Sequence, residues 1–309
     1  MDVPGLDTRA MCWGDRLLVG ACGLVAGWLW TFGAWVPGAL GAALTWTALA
    51  AGVPVLRWLS TRPGARWAET VAAFWPAPVL VLGHDHFGPV VDGINPGLRD
   101  VMLARWDLLL FGGIPSVFTE HRVPGPVMDV LLVCYYSYFL WPLVVGGAIY
   151  RANRSAYAEY RLAMVVFFIL NFSLYVAVPA IGPRFFYAGL YQAPLQGGGL
   201  TAWLDGLMRV TSFNRDCFPS GHTGFTLVVL VYAALYARRV FWVMLPVATG
   251  LVAATVLARF HYGVDLLCAL PAVAVAVLSA ATVARPGTWS VPRRAGAWWR
   301  SVEQDAARR

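Results

Sequence analysis

Apolar stretches recur along the whole of this sequence, at 17–36, 37–56, 69–83, 126–150, 160–180, 219–237, 241–259 and 263–283. Most are about 20 residues long, enough for a helix to cross a hydrocarbon core. The chain is therefore expected to be an all-α polytopic membrane protein, a bundle of about eight transmembrane helices. Only 13% of its 309 residues are charged and 59% are hydrophobic, whereas a soluble domain carries about 25% charged residues. The third stretch, ETVAAFWPAPVLVLG, is the shortest and contains Pro76 and Pro78. A membrane helix tolerates such prolines when its neighbours satisfy the freed carbonyls. The sequence shows neither a cleavable leader pattern nor a separate soluble domain.

Charge placement sets the expected orientation. The net charge of +7 comes from 23 arginines and no lysine, a usage attributed to GC-rich coding. Arginines cluster in RWLSTRPGAR (57–66), RANRSAYAEYR (151–161), YARR (236–239) and the tail from 285 to 309. Eight spans place these four segments on one side with the amino terminus, and the positive-inside rule makes that side cytoplasmic. A bacterial cell membrane is the expected location. Because the arginines are scattered over loops, nucleic acid is not an expected partner. The segments 84–125 and 181–218 then face outward, and long loops of this kind are usually functional. Within the first, an amphipathic stretch near 97–111 is expected to lie in the interface, and the histidines of HDH (84–86) are expected to be solvated rather than to bind metal. The five cysteines have no metal-like spacing. Cys22, Cys134 and Cys268 read as small buried hydrophobes, and no pairing is indicated for Cys217.

Four ionisable residues are expected to meet at the outer end of the bundle, where such groups are functional by default. His261 and Asp265 lie four apart, so on a helix the carboxylate can orient the imidazole as nucleophile or base; an isolated pair would serve equally well to cap span eight. His222 opens span six in the tetrapeptide PSGH. There Pro219 suits the first helical turn, Ser220 can donate a hydrogen bond, and Gly221 lets an anion approach the backbone. The helix start supplies free N–H groups and the positive end of the dipole. An interfacial turn with a solvated histidine is the plainer alternative. Arg184 offers the planar fork that a phosphate needs, or else snorkels to water. Arg259 and Arg215 are weaker candidates for the same task and suit lipid headgroup or topology contacts equally.

PSGH at 219–222, an HxxxD at 261–265 and an upstream arginine at 184 resemble the three motifs of the type 2 phosphatidic acid phosphatase superfamily. Two positions depart from it. The first motif usually has a lysine seven residues before an Arg-Pro pair, where this chain has Ala177 and Arg184-Phe185. The third usually has an arginine six residues before its histidine, where Thr255 stands. With VPAIGPRFF and WDLLLFGGIPS, these departures resemble the branch containing fungal inositol phosphorylceramide synthase. The resemblance implies a six-helix phosphatase-like core over 69–284, preceded by two additional helices in 1–68 and followed by a basic tail, 285–309. It implies that His261 attacks phosphorus, Asp265 orients it, and His222 protonates the leaving oxygen. Arg184, Ser220 and Gly221 would hold the phosphoryl oxygens, with no cofactor or metal required. The expected partners are a lipid phosphate and an alcohol acceptor such as inositol or a sugar. Water as acceptor, giving a lipid phosphatase, stays open, as does a non-catalytic lipid-binding or transport protein of the same fold.

Overall fold

The computed structural model describes residues 8–211 and 215–284, and no strand occurs among them; the expected basic tail lies outside the described residues. Helices α1 (Thr8–Phe32) and α2 (Ala39–Ser60) form a hairpin. It turns at Gly38, whose φ of 78° suits glycine best. The third expected span is broken into α3 (Arg66–Phe74) and α4 (Pro76–Asp85). Trp75 at the break presses its indole against Gly52 of α2 and donates to the Leu49 carbonyl at 2.9 Å. Pro76 and Pro78 fall in the first turn of α4, where a missing N–H leaves nothing unpaired. Thus the prolines start a helix rather than bend one.

Three short helices, α5 (Gly88–Ile94), α6 (Asp100–Phe111) and α7 (Pro115–Phe118), build the first expected outward segment. The fourth span is the pair α8 (Gly125–Tyr136) and α9 (Trp141–Ala152), bent by 47°. Next comes α10 (Arg154–Ala177), which Asn153 caps by accepting from the Ala156 amide at 3.0 Å. It packs against α1, α9, α13 and α15 and forms the centre of the bundle. The second segment expected to face outward holds α11 (Pro183–Phe186) and α12 (Gly199–Thr211). The chain then runs through α13 (Gly221–Tyr236), α14 (Arg238–Leu257) and α15 (Gly263–Ala284).

Among the described residues, α1, α2, α10, α14 and α15 are each long and apolar enough to cross a membrane, and the bent α8–α9 pair makes a sixth span. The other two of the eight expected segments are the shorter α13 and the broken α3–α4. The protein is an all-α polytopic membrane protein. Its outer surface carries Leu24, Leu109 and Trp35 at 78%, 82% and 93% exposure, a pattern suited to lipid and not to water. Charges inside the bundle are paired, as the low dielectric requires. Asp15 of α1 accepts from Arg57 of α2 at 2.9 Å and forms an ion pair with Arg161 of α10 at 2.6 Å, tying the hairpin to the centre.

Helix α6 covers the expected amphipathic stretch, but its polarity is turned inward. It exposes Val101, Leu108, Leu109 and Leu110 and buries Asp100 and Asp107. Those two carboxylates are seven residues apart and so share a face. Asp107 caps α15, accepting from the Gly263 amide at 3.0 Å and the Val264 amide at 2.8 Å. Asp100 accepts from the Ile181 and Gly182 amides at 3.1 and 2.9 Å and from the Tyr262 hydroxyl at 2.9 Å. One helix thereby clamps the loops on either side of Arg184 and His261. Replacing Asp107 by alanine leaves two buried amides without partners, and a loss of about 2–4 kcal/mol is expected. Thermal unfolding in detergent measures it; a melting temperature equal to that of the parent chain contradicts this role for α6.

Candidate active site

The site is assembled from three chain reversals at one end of the bundle. The first is the start of α13. Ser220 is its N-cap, with Oγ accepting from the Thr223 amide at 3.2 Å. Pro219 therefore stands one residue before the cap and not in the first turn as the sequence suggests. Gly221 and His222 are the first two helical residues, whose amides have no partner within a helix. A Cβ on Gly221 would lie 2.6 Å from the Tyr175 hydroxyl, so this glycine also permits the close approach of α13 to α10.

The second reversal follows α14. The Thr255 carbonyl accepts from both the Phe260 and His261 amides, at 2.9 and 2.8 Å, and Arg259 adopts a left-handed φ of 69°. That conformation is uncommon for a residue with a side chain. It turns Arg259 and His261 to different surroundings. His261 Nδ1 lies 2.8 Å from the Cys217 carbonyl and 3.3 Å from Asp265 Oδ2. A carbonyl only accepts, so Nδ1 carries the proton and the lone pair is on Nε2. Asp265 Oδ2 also accepts from the Tyr262 amide at 2.9 Å and from the Cys217 thiol at 2.9 Å. The expected His261–Asp265 pair is thus formed, with Cys217 as a third member that the sequence did not single out.

Cys217, His261 and Asp265 present ligand-type atoms within 4.8 Å of one another. Those atoms are already joined by hydrogen bonds, and a protonated Nδ1 has no lone pair to offer a metal. Burial, with Asp265 beside it, pushes the Cys217 thiol well above the usual range, so it stays protonated and donates. Only a thiolate alkylates readily. Iodoacetamide is therefore expected to modify the exposed Cys12 long before Cys217; equal rates by peptide mapping contradict the buried thiol.

His222 and His261 approach with ring centroids 6.0 Å apart. His222 is stacked on Tyr135 at 4.3 Å and flanked by Tyr138 at 4.4 Å. These tyrosines, from the α8–α9 bend, set the plane of the imidazole, and nothing in their spacing marks them among the many aromatics of the chain. His84 is held by Asp216 at 2.7 Å and lines the same cavity as His222. That corrects the expectation of a solvated histidine there; His86 is half-buried, with Nδ1 3.0 Å from the Leu82 carbonyl.

The third reversal, after α10, carries Arg184 on α11. Its amide donates to the Arg259 carbonyl at 2.9 Å, and its guanidinium pairs with Asp205 of α12, leaving a buried Nη1 without a partner. Arg184 and Arg259 line one polar pocket of about 360 Å³ together with Tyr191, Gln192 and Asp205. Arg259 is bound to Glu120 and the Ala193 carbonyl, both at 3.0 Å. Contacts run from this pocket to His222 through Phe260, 5.5 Å from the Arg184 guanidinium and 4.5 Å from Tyr135. Arg215 is not brought to either histidine's surroundings: it pairs with Asp92 at 2.7 Å and donates to the Pro96 carbonyl at 2.6 Å.

Residues 102–282 match the PAP2 superfamily, and the chain belongs to that family. A PA-phosphatase related-family protein of Dictyostelium discoideum is 25% identical over 241 residues, 65% of this chain and 42% of that protein. The chain thus spans less than half the length of that relative. No solved structure matches.

Proposed function

We propose that the protein transfers a phospho-headgroup from a lipid-linked phosphate to an alcohol at the outer face of the membrane, through a phosphohistidine. The observation that carries this reading is His261, whose Nδ1 is committed to the Cys217 carbonyl and Asp265. Its Nε2 makes no hydrogen bond among the described residues and is left as the nucleophile. His261 Nε2 attacks phosphorus, and the bond to the lipid oxygen breaks. His222 delivers a proton to that oxygen as general acid. The acceptor hydroxyl then attacks the phosphohistidine, its proton returns to His222, and His261 leaves neutral. Asp265 steadies the positive charge on the imidazole between the two steps.

The phosphoryl oxygens are assigned to the Gly221 and His222 amides, the Ser220 hydroxyl and Arg184 Nη1, in keeping with electrostatic stabilisation by fixed donors. Ser220 Oγ accepts from Thr223, so its own O–H remains free to donate. The lysine that Ala177 lacks has no replacement by Arg215, and Arg259 is engaged by Glu120. A pocket of about 360 Å³ is far larger than water requires, which favours transfer to a polyhydroxy acceptor over hydrolysis. Residues 69–284 are read as the catalytic core and 1–68 as an addition to it, with both termini cytoplasmic. Incubating the purified protein with a polyprenyl or glycerolipid phosphate, with and without inositol, and analysing products by mass spectrometry tests the acceptor. A phosphorylated alcohol is the expected product; inorganic phosphate alone, whatever alcohol is added, identifies a phosphatase.

A further inference from the structure

The cavity beside His222 does not end at the histidine. It shares Leu80, Val81, Phe139 and Phe225 with a second cavity, almost wholly apolar, that runs along α4 and α10 toward the opposite end of the bundle. The two adjoin across these four side chains, the first polar where His84, Asp216 and His222 line it and the second apolar. On α10 their wall is a single stripe of residues three or four apart: Tyr157, Arg161, Met164, Phe168, Phe172 and Tyr175. From Tyr175 beside the histidines to Arg161 the helix rises about 21 Å, against a hydrocarbon core of about 30 Å.

Arg161 lies near the far end, one turn short of Tyr157. Its side chain is 1% exposed, held by Asp15 at 2.6 Å and the Ala73 carbonyl at 2.8 Å, with Nη1 left unpartnered. A methyl end reaching this guanidinium gains nothing and keeps a buried donor from any partner. The opposite wall is supplied by Ala77 and Leu80 of α4, with Phe74 and Leu18 near the base. All four precede residue 102, where the family match begins.

We propose that the two cavities together form a groove that holds one hydrocarbon chain of the lipid phosphate and that its closure near Arg161 sets the chain length the protein prefers. The inference rests on the phosphoryl-transfer reading for the reaction, but the groove is tested apart from it. Ala77→Trp places an indole across the apolar part, away from the histidines. With alkyl monophosphates from butyl to hexadecyl, the ratio of hexadecyl to butyl turnover is expected to fall at least about tenfold. An unchanged ratio overturns the proposal. A hexadecyl phosphate bearing a diazirine on its terminal carbon provides the second measurement and needs no turnover. Photolysis is expected to label α10 between Arg161 and Phe168 or the facing residues of α3 and α4. Label confined to lipid-facing positions such as Leu24 and Leu109 overturns the groove. Label in the groove without phosphoryl transfer from any alkyl phosphate, to an alcohol or to water, keeps the groove and sinks the phosphoryl-transfer reading instead.

Discussion

Replacing His261 by alanine is expected to lower phosphoryl transfer by about 10⁴-fold or more, because no other group can form the covalent intermediate. The effect should fall on kcat with little change in KM, since the imidazole bonds to phosphorus only during reaction. The loss should be chemical and not structural. The Asp265 carboxylate that holds His261 keeps other donors when the ring is gone, since it still accepts from the Tyr262 amide and the Cys217 thiol. Circular dichroism and the melting temperature in detergent are the controls. Turnover by the variant within tenfold of the parent chain would falsify the nucleophile assignment.

The second large effect is at His222. Its replacement by alanine removes the general acid, a loss of about 10²–10⁴ for a lipid alkoxide leaving group. An aryl phosphate whose phenolate leaves without protonation is expected to recover most of that loss. The same aryl phosphate should do nothing for His261→Ala, which separates the two histidines by role. A loss at His222 that is equal for alkyl and aryl leaving groups contradicts the acid and points to a positioning part, such as keeping Tyr135 and Tyr138 in place.

What could be read from the sequence was what depends on local pattern. Apolar runs marked out the helices through their periodicity, whereas the His261–Asp265 bond foretold by the spacing forms from the turn before α15 and not along a helix face. PSGH marked a helix start two residues later than its proline suggests, since Ser220 is the N-cap and Gly221 the first helical residue. The partners of the site were hidden for the opposite reason. Cys217 joins His261 through a backbone carbonyl and a thiol 44 residues away, a relation with no sequence period. Within the stretch near 97–111 the carboxylates of Asp100 and Asp107 turn inward, because unpaired loop amides are costlier in this setting than exposed leucines. Arg259 diverges from His261 through its own left-handed backbone, and composition cannot announce that. Arg215 was misplaced because a positive charge near the motif was treated as available, whereas Asp92 and the Pro96 carbonyl already hold it.

The two pockets also explain why the acceptor is hard to name from motifs. PSGH and HxxxD set only the reacting atoms. The polar pocket is lined by Tyr191, Gln192 and Asp205 from the loop segment 181–218, and loops of this kind vary more than the elements that they connect.

The central claim is that His261 Nε2 carries the phosphoryl group between donor and acceptor. Rapid quenching of the purified protein after mixing with a radiolabelled lipid phosphate tests it most directly. The account predicts an acid-labile, alkali-stable label on the peptide containing His261, formed faster than product and absent from His261→Ala. Steady turnover with no trapped label, or label on another residue, would contradict it.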